Sequence, residues 1–213
     1  MKYKYYVVDA FTDHSFGGNP AGICLLDRWL DDETMQKVAA EINLAETAFL
    51  VPAAEREYEL RWFTPEVEID LCGHATLASA FILANCTDSP PATMVFHTKS
   101  GALTVTRRDQ YYEMDFPARP PEPVPVRPAM SEAMGLTVLE AHQSRALLLL
   151  VESAKQGRDL RPDFAKLAAV PGACAYTVTA RGDAFDFGSC FLPPNAGLPL
   201  TPGPASSPSS TLP

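Results

Sequence analysis

The stretch "PARPPEPVPVRP", residues 117–128, constrains this chain more than any other. Proline fixes φ and removes a backbone donor, so this density favours an extended joint over a helix or the interior of a sheet. On its N-terminal side the pattern is that of an α+β unit. "YKYYVVDAF" is rich in aromatic and β-branched residues and reads as a strand. "TDHSFGGNPAG" reads as a turn-rich loop. "LDDETMQKVAAEIN" reads as a helix with Asp31 or Asp32 as its cap, and with Met35, Val38, Ala39 and Ile42 along one face. "ETAFLVP" and "EYELRWFTP" read as strands, "GHATLASAFILAN" as a helix opening at its glycine, and "TMVFHTKSGALTVTRRDQYYEMDFP" as three strands with tight turns.

Beyond the joint the pattern restarts. "AMSEAMGL" reads as a short helix and "AHQSRALLLLVES" as a pair of strands. "RPDFAKLAAV" reads as a helix with a proline near its first turn, and "ACAYTVTARGDAFDFGSCFL" as strand. A length of 213 residues allows one large domain or two of about 100 each, and a hydrophobic fraction of 46% supplies a core. The expected division is 1–116, 117–190 and a tail, 191–213. The tail carries no charge and is dominated by Pro, Ser, Gly, Thr, Ala and Leu, a composition expected to be disordered.

A net charge of −9 with scattered Lys and Arg disfavours nucleic acid and anionic membranes as partners. No 18-residue apolar stretch suggests a membrane span, and the N-terminus lacks a secretory h-region. The five cysteines have no disulfide or zinc-finger spacing, so a reducing cytoplasm is the expected location.

Chemistry-bearing residues gather in two places. "IDLCGHATLASA" puts Asp70, Cys72, Gly73 and His74 at the lip of the second helix. A helix start offers unpaired N–H groups and a partial positive charge, which together suit a carboxylate. A glycine there permits close approach, and a histidine can donate a hydrogen bond or move a proton. A thiol at such a position is expected to be stabilised as thiolate by the dipole. In "NLAETAFL", Glu46 lies among small and apolar residues, where desolvation would raise its pKa toward general acid/base use. Plainer readings stand beside each of these. Gly73 could end a turn, His74 and Asp70 could sit on the surface, Glu46 could be a solvated carboxylate, Cys72 a small buried hydrophobe and Asn19 a turn residue.

Taken together and in order, "DAFTDHSFGGNPAGICLL", "AEINLAETAFL" and "FTPEVEIDLCGHATLASA" resemble the PhzF-like family, the phenazine-biosynthesis isomerases, which are related in fold to diaminopimelate epimerase and proline racemase. "LEAHQSRALLLLVES" and "VTARGDAFDF" are similar to the family's second half. The resemblance implies an α/β (α+β) fold of two pseudo-symmetric domains, each a curled, mostly antiparallel sheet around a central helix, with the active site in the cleft between them. It implies cofactor-independent and metal-independent proton transfer within a small carboxylic acid. Glu46 would be the shuttle, His74 and Asp70 would position substrate and tune it, and Gly73 would hold the substrate carboxylate by its N–H, with Asn19 as a further binding residue. It also admits a homodimer.

Cys72 stands where the epimerase and racemase relatives carry a catalytic thiol, so two-base racemisation is the alternative; no second thiol occurs in a matching motif. The family's second half normally opens its central helix with an acidic residue, a proline and Thr-Gly-Ser, where this chain has "LTPGPASSPSSTLP". The second domain is therefore expected to be incomplete. A tail arising partly from a shifted reading frame or a degenerate gene end, from about Gly188, would leave a truncated and inactive member as a third reading.

Overall fold

The computed structural model describes residues 3–14, 17–87, 90–170, 175–182 and 187–192. The chain forms two compact units, residues 1–117 and 118–213.

The first unit runs β1 (Lys4–Ala10), β2 (Asn19–Leu25), α1 (Asp32–Ile42), β3 (Glu46–Ala54), β4 (Glu57–Phe63), β5 (Glu68–Ile69), α2 (Gly73–Asn85), β6 (Thr93–Thr98), β7 (Gly101–Arg108) and β8 (Tyr111–Asp115). The strands make one sheet in the order β1-β2-β3-β4-β6-β7-β8, with β5 on β4. Pairing is antiparallel except between β2 and β3 and between β4 and β6.

Sequence-local devices set the helix ends. Asp31 caps α1 by accepting the Thr34 N–H at 2.8 Å, and Asn43 ends it in the left-handed region at φ 54°. Helix α2 is apolar around most of its circumference, which a helix tolerates only when enclosed. Nine of its 13 residues, His74, Ala75, Thr76, Ala78, Ser79, Ala80, Ile82, Leu83 and Ala84, are buried. Of these, Ala75, Ala78, Ala80, Ile82, Leu83 and Ala84 share one core with Ala21 and Ile23 of β2, Ala48 and Leu50 of β3, Leu60 and Trp62 of β4, and Leu103 and Val105 of β7. One face of the sheet thus curls around α2. The other face of β3, through Phe49 and Val51, packs with Met35 and Ala39 of α1.

β2 lies partly inside the stretch expected to be a loop, "TDHSFGGNPAG". The strand tolerates Pro20 because its pairing with β3 starts only at Ala21. Gly18 turns the chain into β2 at φ +64°, where a Cβ would lie 2.0 Å from the Ala10 carbonyl oxygen.

The second unit runs β9 (Glu122–Val124), α3 (Pro128–Met134), β10 (Glu140–Gln143), β11 (Leu147–Leu150), α4 (Ala154–Arg158), α5 (Phe164–Ala169), β12 (Tyr176–Arg181) and β13 (Phe187–Leu192). Its sheet has the order β13-β12-β11-β10-β9, antiparallel except between β11 and β12. Met130, Met134, Leu147, Leu149, Leu167, Tyr176 and Leu192 lie in its core.

The proline joint is not wholly linker. Its residues 122–124 form β9 and pair with β10; as the edge strand of the sheet, β9 admits Pro123 without breaking a central ladder. Pro128 opens α3 at its first turn and Gly135 closes it at φ 66°. Pro162, read as opening the next helix, instead precedes the true cap, Asp163, which accepts the Lys166 N–H. α4 carries no apolar period, so the sequence pattern gives it no helix signal; Ser153 caps it. β13 extends two residues past the expected start of the tail, because Leu192 pairs with Tyr176 and is buried. The rest of the expected tail, 193–213, lies outside the described residues, and with it the proline and serine run. Among the described residues the second unit has no helix of the length of α2; its three helices have five to seven residues. No described helix is long and apolar enough to cross a membrane.

Candidate active site

Strand alternation decides where Glu46 points. Ala48 and Leu50 belong to the α2 side and Phe49 and Val51 to the α1 side, so Glu46, two before Ala48, faces α2. Parallel pairing sets Glu46 beside Ala21. Asn19 lies two residues before Ala21 on the same face of β2, at the same end of the sheet, half-buried. It makes no hydrogen bond to Glu46, Cys72 or His74.

The second half of the site is the start of α2. Cys72 is the N-cap in extended conformation and makes no side-chain cap bond. Its carbonyl accepts from the Thr76 N–H and hydroxyl. Gly73 is the first helical residue; its φ is not left-handed, and a Cβ built there would meet nothing within 4 Å. Neither backbone strain nor packing within the protein therefore demands glycine here, and the space before the helix start is open. Asp70 sits half-buried just ahead of the cap, and its backbone carbonyl accepts the Ser100 hydroxyl at 2.8 Å. Ser100, from the β6–β7 turn, thus ties down the helix entry. It escaped sequence reasoning because it is 30 positions away and carries no local signal.

The two halves meet. His74 Nε2 lies 3.2 Å from Glu46 Oε2, with side-chain exposures of 9% and 18%. The contact is off the line of a regular hydrogen bond, so Nε2 makes no well-aligned one. The other ring nitrogen, Nδ1, lies 3.5 Å from Cys72 Sγ. Burial pushes the Glu46 carboxyl up to about 7 and the His74 imidazole down to about 4. Although the pair is at ion-pair distance, desolvation dominates both groups and each is driven toward its neutral form.

The Cys72 thiol is driven the opposite way from the sequence expectation. Burial, then the neighbouring Glu46 charge, hold it well above its ordinary value, and the backbone N–H groups of Ala75 and His74 offset this only partly. One ligand atom each from Glu46, Cys72 and His74 lie within 4.8 Å of one another, the only such three-residue donor group among the described residues.

A curled sheet around a buried helix is a mixed α/β fold that other solved structures share with this chain. Structures of a predicted epimerase from Pseudomonas aeruginosa (TM-score 0.66, 23% identity, 83% of this chain and 70% of that one) and of a hydroxyproline epimerase from Agrobacterium vitis (TM-score 0.51, 8% identity, 82% and 67%) share the fold. More particularly, the chain belongs to the PhzC-PhzF family, phenazine biosynthesis-like proteins, which it matches over residues 8–199. An uncharacterized isomerase of Pseudomonas aeruginosa is 44% identical over 214 residues, covering 100% of this chain and 82% of the relative. A PhzF-family crystal structure from Enterococcus faecalis superposes with a TM-score of 0.88 at 43% identity, covering 97% of this chain and 79% of that one.

Proposed function

We propose that this chain is an isomerase that moves a proton between two carbons of a small carboxylic acid, with Glu46 as the shuttling group and no cofactor. The observation that carries the reading is the meeting of Glu46 and His74 in a buried setting beside the open start of α2. The names of its relatives as isomerases support the coarse class.

In this reading the substrate carboxylate docks on the N–H groups at the start of α2, where Gly73 leaves room and the helix dipole favours an anion. Ionised Glu46 takes a proton from a carbon made acidic by an adjoining carbonyl or carboxyl group. The electron pair released on that carbon delocalises through the conjugated system. Protonated Glu46 then returns the proton at a second carbon, so the product is an isomer and the enzyme is restored. A carboxyl group that titrates near 7 holds comparable amounts of both forms at neutral pH, which suits the two half-steps. His74 stays neutral. Its Nε2 lies beside Glu46, where it can accept from the protonated carboxyl group or donate to the carboxylate according to which ring nitrogen carries the hydrogen. Asp70, just ahead of the α2 cap, and Asn19, at the start of β2, would position the substrate.

The alternative, Cys72 as one base of a two-base racemase, fits less well, because a thiol whose pKa is pushed up is a small fraction thiolate at neutral pH. Glu46→Gln keeps size and polarity but removes the titrating proton. Deuterium wash-in from solvent into candidate acids should fall by about 10²–10⁴-fold with the circular dichroism spectrum unchanged. Wild-type exchange in that variant would refute the shuttle.

A further inference from the structure

The buried triplet of Glu46, Cys72 and His74 contains three different donor types, and the isomerase reading leaves one of them, the thiol, without a task. We propose that these side chains also form a binding site for a thiophilic divalent cation of the Zn²⁺ type, and that its occupancy blocks the proton shuttle; the blocking, though not the binding, rests on the isomerase reading.

The geometry supports the site. Zinc takes sulfur at about 2.3 Å and imidazole nitrogen at about 2.0–2.1 Å, so the sulfur–nitrogen edge of a tetrahedral site is about 3.5 Å. The Cys72 Sγ to His74 Nδ1 separation is 3.5 Å. A metal takes imidazole in its neutral form, with one ring nitrogen left to bind. Donor atoms of Glu46, Cys72 and His74 lie within 4.8 Å of one another; Glu46 Oε2 sits 3.2 Å from the other ring nitrogen, Nε2, so the Glu46 side chain must rotate to bring an oxygen onto an ion held at Nδ1. A fourth position is left for water or for the carboxylate of a bound acid. The setting is also two-sided: Cys72 and His74 are held by the start of α2, while Glu46 comes from β3, so an ion would bind sheet to helix.

The exchange balances. The Cys72 S–H bond breaks, Glu46 gives up its proton where it holds one, both protons leave to solvent and the sulfur–metal and oxygen–metal bonds form, with no change of oxidation state. The three ligands bring two negative charges against the ion's two positive ones, which removes the desolvation problem of each group alone. With its oxygen on the metal, Glu46 can no longer take a proton from carbon.

The test uses the full chain, reduced and stripped of metal. Zn²⁺ is titrated by calorimetry, and Co²⁺ by absorption, where a tetrahedral thiolate site gives visible ligand-field bands and a near-ultraviolet sulfur-to-cobalt band. One ion per chain is expected. Cys72→Ser and, separately, Glu46→Gln should each weaken Zn²⁺ binding more than tenfold. The sulfur band should vanish in Cys72→Ser and persist in Cys86→Ser, which alters an exposed thiol elsewhere on the chain. Bound Zn²⁺ should suppress deuterium exchange in step with occupancy. No binding up to millimolar Zn²⁺, or a sulfur band that survives Cys72→Ser, would overturn the site. Full exchange activity with Zn²⁺ bound would overturn the blocking. If the chain exchanges no protons at all, the isomerase reading fails while the metal titration still decides the site.

Discussion

Gly73→Ala separates a site that is merely structural from one that receives a ligand. At most glycines a methyl group either clashes or forces an unfavourable φ. At Gly73 it does neither, since φ is not left-handed and a Cβ meets nothing within 4 Å. Alanine is also the better helix former, and replacing glycine at a compatible position stabilises by about 0.4–1 kcal/mol through the unfolded state. For a protein of 213 residues that corresponds to a rise in Tm of about 1–4 °C. The same methyl group, however, stands in the open space before α2 where the substrate carboxylate would approach the backbone. The variant should therefore be slightly more stable and yet bind candidate acids at least tenfold more weakly, seen as a raised KM and slower deuterium exchange at subsaturating substrate. Differential scanning calorimetry and exchange kinetics on the same sample measure both. Unchanged exchange kinetics would show that the space before the helix is not used by the substrate. A loss of stability would show that glycine is there for the backbone after all.

Glu46 and His74 should oppose one another in the pH dependence of stability. The folded Glu46 value of about 7 lies above its ordinary 4.5, so its stabilisation is complete below pH 4.5 and lost as pH rises through 7; the folded His74 value of about 4 lies below its ordinary 6.5, so its stabilisation is present above pH 6.5 and lost as pH falls through 4. Each amounts to about 3 kcal/mol at about 1.36 kcal/mol per pH unit, and they cancel across pH 4.5–6.5 in the wild type. Relative to wild type, urea midpoints should rise with pH in Glu46→Gln and fall with pH in His74→Gln, and slopes of the same sign in both variants would contradict the pairing. Cys72→Ser should lower metal-free deuterium exchange less than tenfold, against about 10²–10⁴-fold for Glu46→Gln; equal losses would restore the thiol as a base. Asp31→Ala removes the α1 cap and should lower the midpoint of chemical denaturation without changing exchange kinetics.

Much of the chain was legible before folding, wherever the signal is local. A continuous apolar run opened by Gly73 can only be an enclosed helix, and α2 is one. Asp31 announces α1, and the ordered motifs around Asn19, Glu46 and Gly73 point to a family by themselves. Where signals conflict, position in the sheet decided. Pro20 and Pro123 read as loop and linker, yet both lie in strands, one ahead of its second partner and the other on an edge, because only there is the missing N–H harmless.

The site itself needed the tertiary structure. Glu46 and His74 are 28 positions apart in sequence, and nothing local says that they touch. They meet because the parallel pairing of β2 with β3 starts the strand at Glu46, and because the sheet curls until that end reaches the first turn of α2. Cys72 shows the same division most sharply. Its position at a helix start predicts a lowered pKa from a dipole worth about 0.3–1 kcal/mol. The folded protein instead buries the thiol and sets a carboxylate beside it, and the thiol's pKa rises well above its ordinary value. The dipole is a property of the local chain and can be read from it. Desolvation depends on every atom that excludes water from the site, and those atoms are assembled only by the fold.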